Sequence, residues 1–291
     1  MVTPFPVRLA AAVRRTGTPL LVGIDPHLDL LPPTTGSPTE RALAFGRAIV
    51  RAAAGRVPAV KPQFAFFEQL GPAGMGALAT VCAEARAAGL LVIGDAKRGD
   101  IGTTAAAYAG ATLAEDAPFP CDALTLSPFL GPDTLSPFLA AADQWGSGLF
   151  VLLRTSNPGS ATWQAPVTDT LAAWLTAEGA TRQGPDGLSP VGAVVGATWP
   201  EEVGNLRKKL PHAWMLLPGY GAQGAAAATT RAAFRADGLG ALVASARAAT
   251  LPSSPTGPDA ARWVLDPEAW IRARIEQLKA ELAAVTPPST P

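Results

Sequence analysis

Only two cysteines, Cys82 and Cys121, occur in the chain, so a disulfide framework is excluded and a reducing, cytoplasmic setting is expected. The two histidines, His27 and His212, lie far from each other and from both cysteines, and no zinc-ligand spacing is formed. No apolar run approaches the ~18 residues that a membrane-spanning helix needs. Net charge is absent too: Lys plus Arg and Asp plus Glu are both 23. That balance gives no support for a nucleic-acid or membrane surface. The first twenty residues are broken by Arg8, Arg14, Arg15 and several prolines, and do not read as a signal peptide. Lysine is the last scarcity: Lys61, Lys97, Lys208, Lys209 and Lys279 are all there are.

What is present is a large apolar fraction, 48% of 291 residues, enough for a sizeable core. The apolar residues fall into eight short runs, at 20–25, 57–61, 90–94, 123–126, 148–153, 191–196, 214–217 and 239–244. Helical stretches separate them; one of these opens on a capping box, Ser37-Pro38-Thr39-Glu40, with proline at the first helical position. Apolar strands alternating with helices indicate a parallel sheet. Eight such units predict an α/β fold, a (β/α)8 TIM barrel, with an extra helix at each end. A doubly wound open sheet is the alternative. The barrel is preferred because polar residues follow nearly every strand instead of collecting at one switch point. Residues 1–286 are expected to form one barrel domain and 287–291 a flexible tail. The segment from 251 to 259 reads as a loop.

In such a barrel the C-terminal strand ends converge on one mouth. Asp25, Lys61, Asp95, Lys97, Asp100, Ser127, Ser156, Gln223 and Arg247 would gather there. The stretch Asp95-Ala96-Lys97-Arg98-Gly99-Asp100 is the densest part. Residues i and i+2 of a strand point the same way, so Asp95 and Lys97 should project together. Taken singly, each residue has a plainer reading as an ion pair, a turn residue or a surface charge. Taken together, alternating acids and lysines in one cavity need a charged or proton-transferring task to offset their desolvation. A second cluster follows strands seven and eight. Gly219, Gly221 and Gly224 let backbone amides approach a ligand, Gln223 starts a helix, and Arg247 could clamp a phosphate.

The run Asp95-Ala96-Lys97-Arg98-Gly99-Asp100-Ile101-Gly102-Thr103-Thr104 resembles the signature of the orotidine 5′-phosphate decarboxylase family, most closely its longer bacterial subgroup. Gly23-Ile24-Asp25-Pro26, Val60-Lys61-Pro62-Gln63, Thr155-Ser156-Asn157-Pro158-Gly159 and Pro218-Gly219-Tyr220-Gly221-Ala222-Gln223-Gly224 match in the expected order. The resemblance implies decarboxylation of orotidine monophosphate (OMP) to UMP, the last step of de novo pyrimidine synthesis, with no metal or organic cofactor. It implies that Lys97 protonates carbon 6 of the pyrimidine and that Asp95 faces the departing carboxylate. Asp25 and Lys61 would bind ribose hydroxyls, with Lys61 also bonding Asp95. Ser156 would read the pyrimidine edge, and Gln223, Gly224 and Arg247 would hold the phosphate end. The protein would be a homodimer, with Asp100, Ile101 and Thr104 supplied to the partner's site. Ser245-Ala246-Arg247 matches loosely, and Ser127 aligns with no definite role.

The chemistry is sensible without the family. Loss of carbon dioxide from an sp² ring carbon leaves a carbanion with little resonance relief. An ammonium fixed beside that carbon stabilises the charge and then supplies a proton. Two other readings share parts of the pattern: a magnesium-dependent barrel that enolises a sugar phosphate, and a non-catalytic nucleotide-binding barrel. Lys61, Lys97 and Arg98 are expected to crowd the cavity with positive charge, which disfavours the magnesium enzyme.

Overall fold

The computed structural model describes residues 2–31, 35–196, 200–221, 227–254 and 256–288. Eight parallel strands pair in chain order and close on themselves. They are β1 (Leu20–Ile24), β2 (Ala59–Pro62), β3 (Leu91–Arg98), β4 (Ala123–Leu126), β5 (Gly148–Arg154), β6 (Val191–Val195), β7 (Met215–Leu217) and β8 (Ala241–Ser245). Strand β8 returns to β1, with Leu20 opposite Val243, so the sheet is a barrel and not an open, doubly wound one.

The helices are α1 (Phe5–Thr16), α2 (Pro38–Ala53), α3 (Phe64–Glu68), α4 (Gly71–Ala87), α5 (Gly102–Leu113), α6 (Ser136–Trp145) and α7 (Ser160–Trp163). They continue as α8 (Thr168–Ala180), α9 (Pro200–Lys209), α10 (Ala227–Thr230), α11 (Arg247–Thr250), α12 (Pro258–Leu265) and α13 (Pro267–Ala283). At the start of α2 both arms of the capping box form: Ser37 N donates to Glu40 at 2.7 Å and Glu40 N to Ser37 Oγ at 3.3 Å. No helix of the described residues is long and apolar enough to cross a membrane.

Two elements depart from the sequence reading. Strand β3 runs to Arg98, four residues beyond the expected end, because its far end stays paired to β4 at Leu126. Helix α12 begins inside the segment read as a loop. Gly257 leads into it at φ 98°, Pro258 fixes its first turn, and buried Trp263 donates its indole N–H to Thr250 O at 2.8 Å. A helix of eight residues is too short to show the period that identifies longer ones.

Alternation along the strands assigns every position to one of two cores. Leu20, Val22, Val60, Val92 and Leu124 pack outward against the helices. Leu21, Ala59, Ile93, Ala123, Phe150, Val194, Leu216 and Leu242 face inward and fill the barrel. The same parity, two or four residues further along, sends Asp25, Lys61, Asp95 and Thr125 toward the barrel's C-terminal mouth.

Helix α1 seals the opposite end. Phe5 meets Phe150 edge-on, with ring centroids 6.0 Å apart and planes at 89°. Gly148 is required beneath it, since a Cβ there would lie 2.2 Å from Phe5 Cδ1. Arg8 pairs with buried Asp122, whose Oδ2 also accepts the Val92 amide at 2.9 Å. With that end plugged, the mouth opens only on the polar side. Phe5→Ala should lower unfolding stability by ~3 kcal/mol, the usual scale for emptying a buried phenylalanine site. Urea titration of the variant measures this loss, and its Michaelis constant should remain near that of the parent because Phe5 sits at the far end of the barrel.

Candidate active site

Lys61 is the third residue of β2 and lies in register with Gly23 of β1. Its ammonium donates to Asp95 Oδ2 at 2.5 Å. Gln63, one residue past β2, bridges the backbone of Asp95 and donates its side-chain amide to the same oxygen at 3.0 Å. On the other side, Lys97 Nζ reaches Asp95 Oδ1 at 2.5 Å and the Thr125 hydroxyl donates to that oxygen at 3.1 Å. Asp95 therefore takes two donors on each carboxylate oxygen, one ammonium and one neutral group apiece.

The electrostatics follow from this arrangement. Burial alone would raise the Asp95 carboxyl, but the charges of Lys61 and Lys97 and their hydrogen bonds outweigh it and hold the group well below the usual carboxylate range. Burial likewise opposes the charge on Lys61, and Asp95 and Asp25 overcome it, so the Lys61 ammonium is held above its ordinary value. Asp25 is the exception. Burial pushes its carboxyl up and the Lys61 charge only partly offsets this. Its Oδ1 is buried without a hydrogen-bond partner among the described residues. Exposure separates the two lysines: the Lys61 side chain is 8% accessible, whereas Lys97 is 46% accessible and faces the open mouth.

Asp95 and Lys97 meet as the strand argument predicts, but not by regular strand geometry. Lys97 is the one non-glycine residue at positive φ among the described residues, at 49°. That conformation costs ~1–3 kcal/mol, which surrounding structure must hold in place.

The other expected residues divide into those brought to this mouth and those directed elsewhere. Asp100 forms no ion pair with Lys61 or Lys97 of its own chain among the described residues; its Oδ1 accepts the Ile101 amide at 2.7 Å. Ile101 and Thr104 are exposed at the start of α5. Arg98 does not crowd the cavity as expected. It pairs with Glu68 of α3 and lies over the rings of Phe64 and Tyr108, because its place in β3 is opposite outward-facing Leu126. Ser127 donates its amide to Arg98 O at 2.8 Å. The Ser156 backbone lies against the end of β6, where a Cβ on Gly196 would be 2.9 Å from Ser156 N.

Arg247 opens α11 and lines, with Gly221, Arg262 and Arg274, a cavity of about 930 Å³ beside α12 and α13; Asp25, Lys61, Asp95 and Lys97 do not line it. Ser245 is buried, and its hydroxyl donates to Tyr220 O at 3.3 Å, tying the strand-seven turn to β8. Tyr220 in turn donates to Glu281 of α13 at 2.7 Å. Gln223 and Gly224 lie outside the described residues. Thr125 and Gln63 carry half of the Asp95 contacts, and neither was singled out for a role from the sequence. The available signal for Thr125 was a hydroxyl residue at an inward position of an apolar strand.

Among the described residues, no group of three or more His, Cys, Asp or Glu side chains is gathered closely enough to hold a metal ion. The central acid already spends both oxygens on lysines, an amide and a hydroxyl.

A lysine–carboxylate–lysine array at the C-terminal mouth of a closed barrel stands where (β/α)8 enzymes carry their active sites. Comparison with known proteins gives that class a family. Residues 18–250 match the family model described as Orotidine 5'-phosphate decarboxylase / HUMPS family. An orotidine 5'-phosphate decarboxylase of Rhodopirellula baltica is 48% identical over 262 residues, covering 84% of this chain and 87% of that protein. One from Deinococcus radiodurans is 45% identical over 79% of this chain and 83% of its own length. The structure of Leishmania donovani OMP decarboxylase superposes with a TM-score of 0.75 at 30% identity, covering 97% of this chain and 98% of that one. The chain belongs to the orotidine 5′-phosphate decarboxylase family.

Proton linkage at Asp95 is measurable. Its native carboxyl lies below the ordinary ~3.9 of an unfolded chain, so the unfolded state takes up the proton first as pH falls. The stabilisation is complete above ~pH 5 and is lost as pH drops through and below ~4. Asp95→Asn should therefore flatten the pH dependence of unfolding free energy between pH 5 and 3, by up to ~1.4 kcal/mol per pH unit. Denaturant titrations at stepped pH provide the comparison, and equal slopes would remove Asp95 from this role.

Proposed function

We propose that the chain is the carboxy-lyase that converts OMP to UMP and carbon dioxide, with Lys97 as the proton donor. The observation that carries this reading is the exposed Lys97 ammonium fixed 2.5 Å from a carboxylate that is held ionised. The bond between carbon 6 and the carboxyl group breaks with its electron pair left on carbon 6. The ammonium stabilises that charge and then delivers its proton to the same carbon. Asp95 faces the substrate carboxylate. Its own charge cannot be relieved by protonation, so repulsion at that point is removed only when carbon dioxide leaves.

Binding is drawn from groups remote from the breaking bond. Asp25 and Lys61 take ribose hydroxyls, Ser156 reads the pyrimidine edge, and Gln223, Gly224 and Arg247 hold the phosphate. No step needs a metal or an organic cofactor. The enolising magnesium reading has no comparable support, because the acid it would need as a ligand is already shared between Lys61 and Lys97.

The active unit is a homodimer in which Asp100, Ile101 and Thr104 complete the partner's site. Two features support this. Asp100 is not engaged with its own Lys97, and an apolar patch lies beside it: Ile101 is 63%, Phe129 82% and Leu130 50% exposed. The Arg98–Ser127 backbone bond holds the two segments of the patch side by side. A contiguous exposed patch of this kind fits a subunit interface.

The absorbance fall of OMP on adding purified protein tests the reaction, and it should be insensitive to EDTA. Lys97→Ala should lower turnover by at least ~10²–10⁴-fold, the range of a positioned general acid, while UMP still binds. Near-parental turnover would remove Lys97 from the chemistry. Mixing inactive Lys97→Ala with inactive Asp100→Ala protein should restore about a quarter of full activity, since half of random two-fold dimers are hybrids with one intact site. Hybrid dimers that form without activity would overturn the shared site.

A further inference from the structure

We infer that Thr125 is a positioning residue for the decarboxylation, holding the left-handed backbone that presents Lys97. The inference rests on Lys97 being the proton donor. Its basis is a mismatch in the sheet. Gly94 of β3 is in register with Leu124 of β4, yet Arg98 is in register with Leu126. Three residues, Asp95, Ala96 and Lys97, are thereby set opposite the single residue Thr125. A bulge of that kind leaves amides without ladder partners. Both are recovered by one atom: Ala96 N and Lys97 N donate to Thr125 Oγ1 at 3.0 and 2.9 Å.

A hydroxyl oxygen has two acceptor sites and one proton. With both acceptor sites filled, the proton must leave toward Asp95 Oδ1, 3.1 Å away. The group is 2% exposed, so water cannot easily replace it. One hydroxyl thus fixes the backbone that carries Lys97 and the carboxylate that Lys97 touches. Thr125 itself does not reach the open mouth. Its effect on the reaction passes through the angle at which Lys97 leaves the chain. A displacement there moves the ammonium from the reacting carbon but leaves the ribose and phosphate groups, on other strands, where they were.

Serine and alanine at position 125 both lose the methyl group and differ only in the hydroxyl. Thr125→Ala should lower kcat at least tenfold, with UMP affinity changed less than threefold. Thr125→Ser should keep kcat within threefold of the parent. A merely structural threonine would lower melting temperature in both variants and leave kcat per folded molecule unchanged, and that result overturns the inference. Equal losses in the serine and alanine proteins, or a parallel fall in kcat and UMP affinity, overturn it as well. If the alanine protein does not fold, Thr125→Val, which keeps the side-chain volume, replaces it against the same serine variant. Lys97→Ala, assayed alongside, separates the two claims. Active Lys97→Ala removes the catalytic reading, whereas inactive Lys97→Ala with a fully active Thr125→Val removes only the positioning role.

Discussion

A carboxylate inside a protein is stable only if its charge is met, and Asp95 meets this condition in a way that organises the mouth of the barrel. Lys61 and Gln63 approach one oxygen from the end of β2, while Lys97 and Thr125 approach the other from β3 and β4. Three neighbouring strands are thus tied at their C-terminal ends through one side chain. Removing one partner of a buried charged group commonly costs several kcal/mol, because the remaining charge is left uncompensated. The array therefore tolerates little rearrangement. That rigidity is what electrostatic preorganisation demands, since groups already fixed need not reorient as charge develops on the substrate.

The barrel supplies this arrangement through alternation alone. Inward positions are filled with Leu21, Ala59, Ile93 and Ala123 at one level and with charged or hydroxyl groups at the next. The apolar layer and helix α1 close the far end, so the charged layer sits on a packed apolar floor. A lower dielectric below the site strengthens the Lys–Asp attractions above it. Neutral partners matter as much as charged ones: without Gln63 and Thr125, two lone pairs of Asp95 would be buried without donors. The same economy appears after β7 and β8, where Ser245 and Tyr220 spend their hydroxyls on the loop backbone and on Glu281.

Much of this was readable in the sequence. Apolar runs of strand length, each followed by polar residues, specified the closed barrel. The acid and lysine positions at the strand ends specified where the charges would meet. What could not be read was the path of the chain between Gly94 and Arg98. A positive φ is ordinarily signalled by glycine or asparagine, and here it falls on a lysine. Thr125 was equally silent, since threonine in a strand is what β-propensity alone would place there. Arg98, by contrast, follows from alternation: it lies four residues after Gly94, whose partner Leu124 faces outward, and so shares the outward parity of Leu126. Helix α12 escaped because it is short and its first residues resemble a Pro/Ser loop.

The bulge also bears on why two chains would be needed. Strand β3 continues past Lys97 to Arg98, which stays paired with Leu126, and the chain leaves the sheet only after it. Asp100 is reached two residues later. That acid then joins exposed Ile101 and Thr104 outside the mouth, and its carboxylate caps its own backbone instead of pairing with Lys97. In the proposed dimer the missing negative charge is restored from the partner, so that a fully formed array exists only in the assembled protein. The strand that carries the proposed proton donor is then followed at once by the residues proposed to serve the neighbouring subunit.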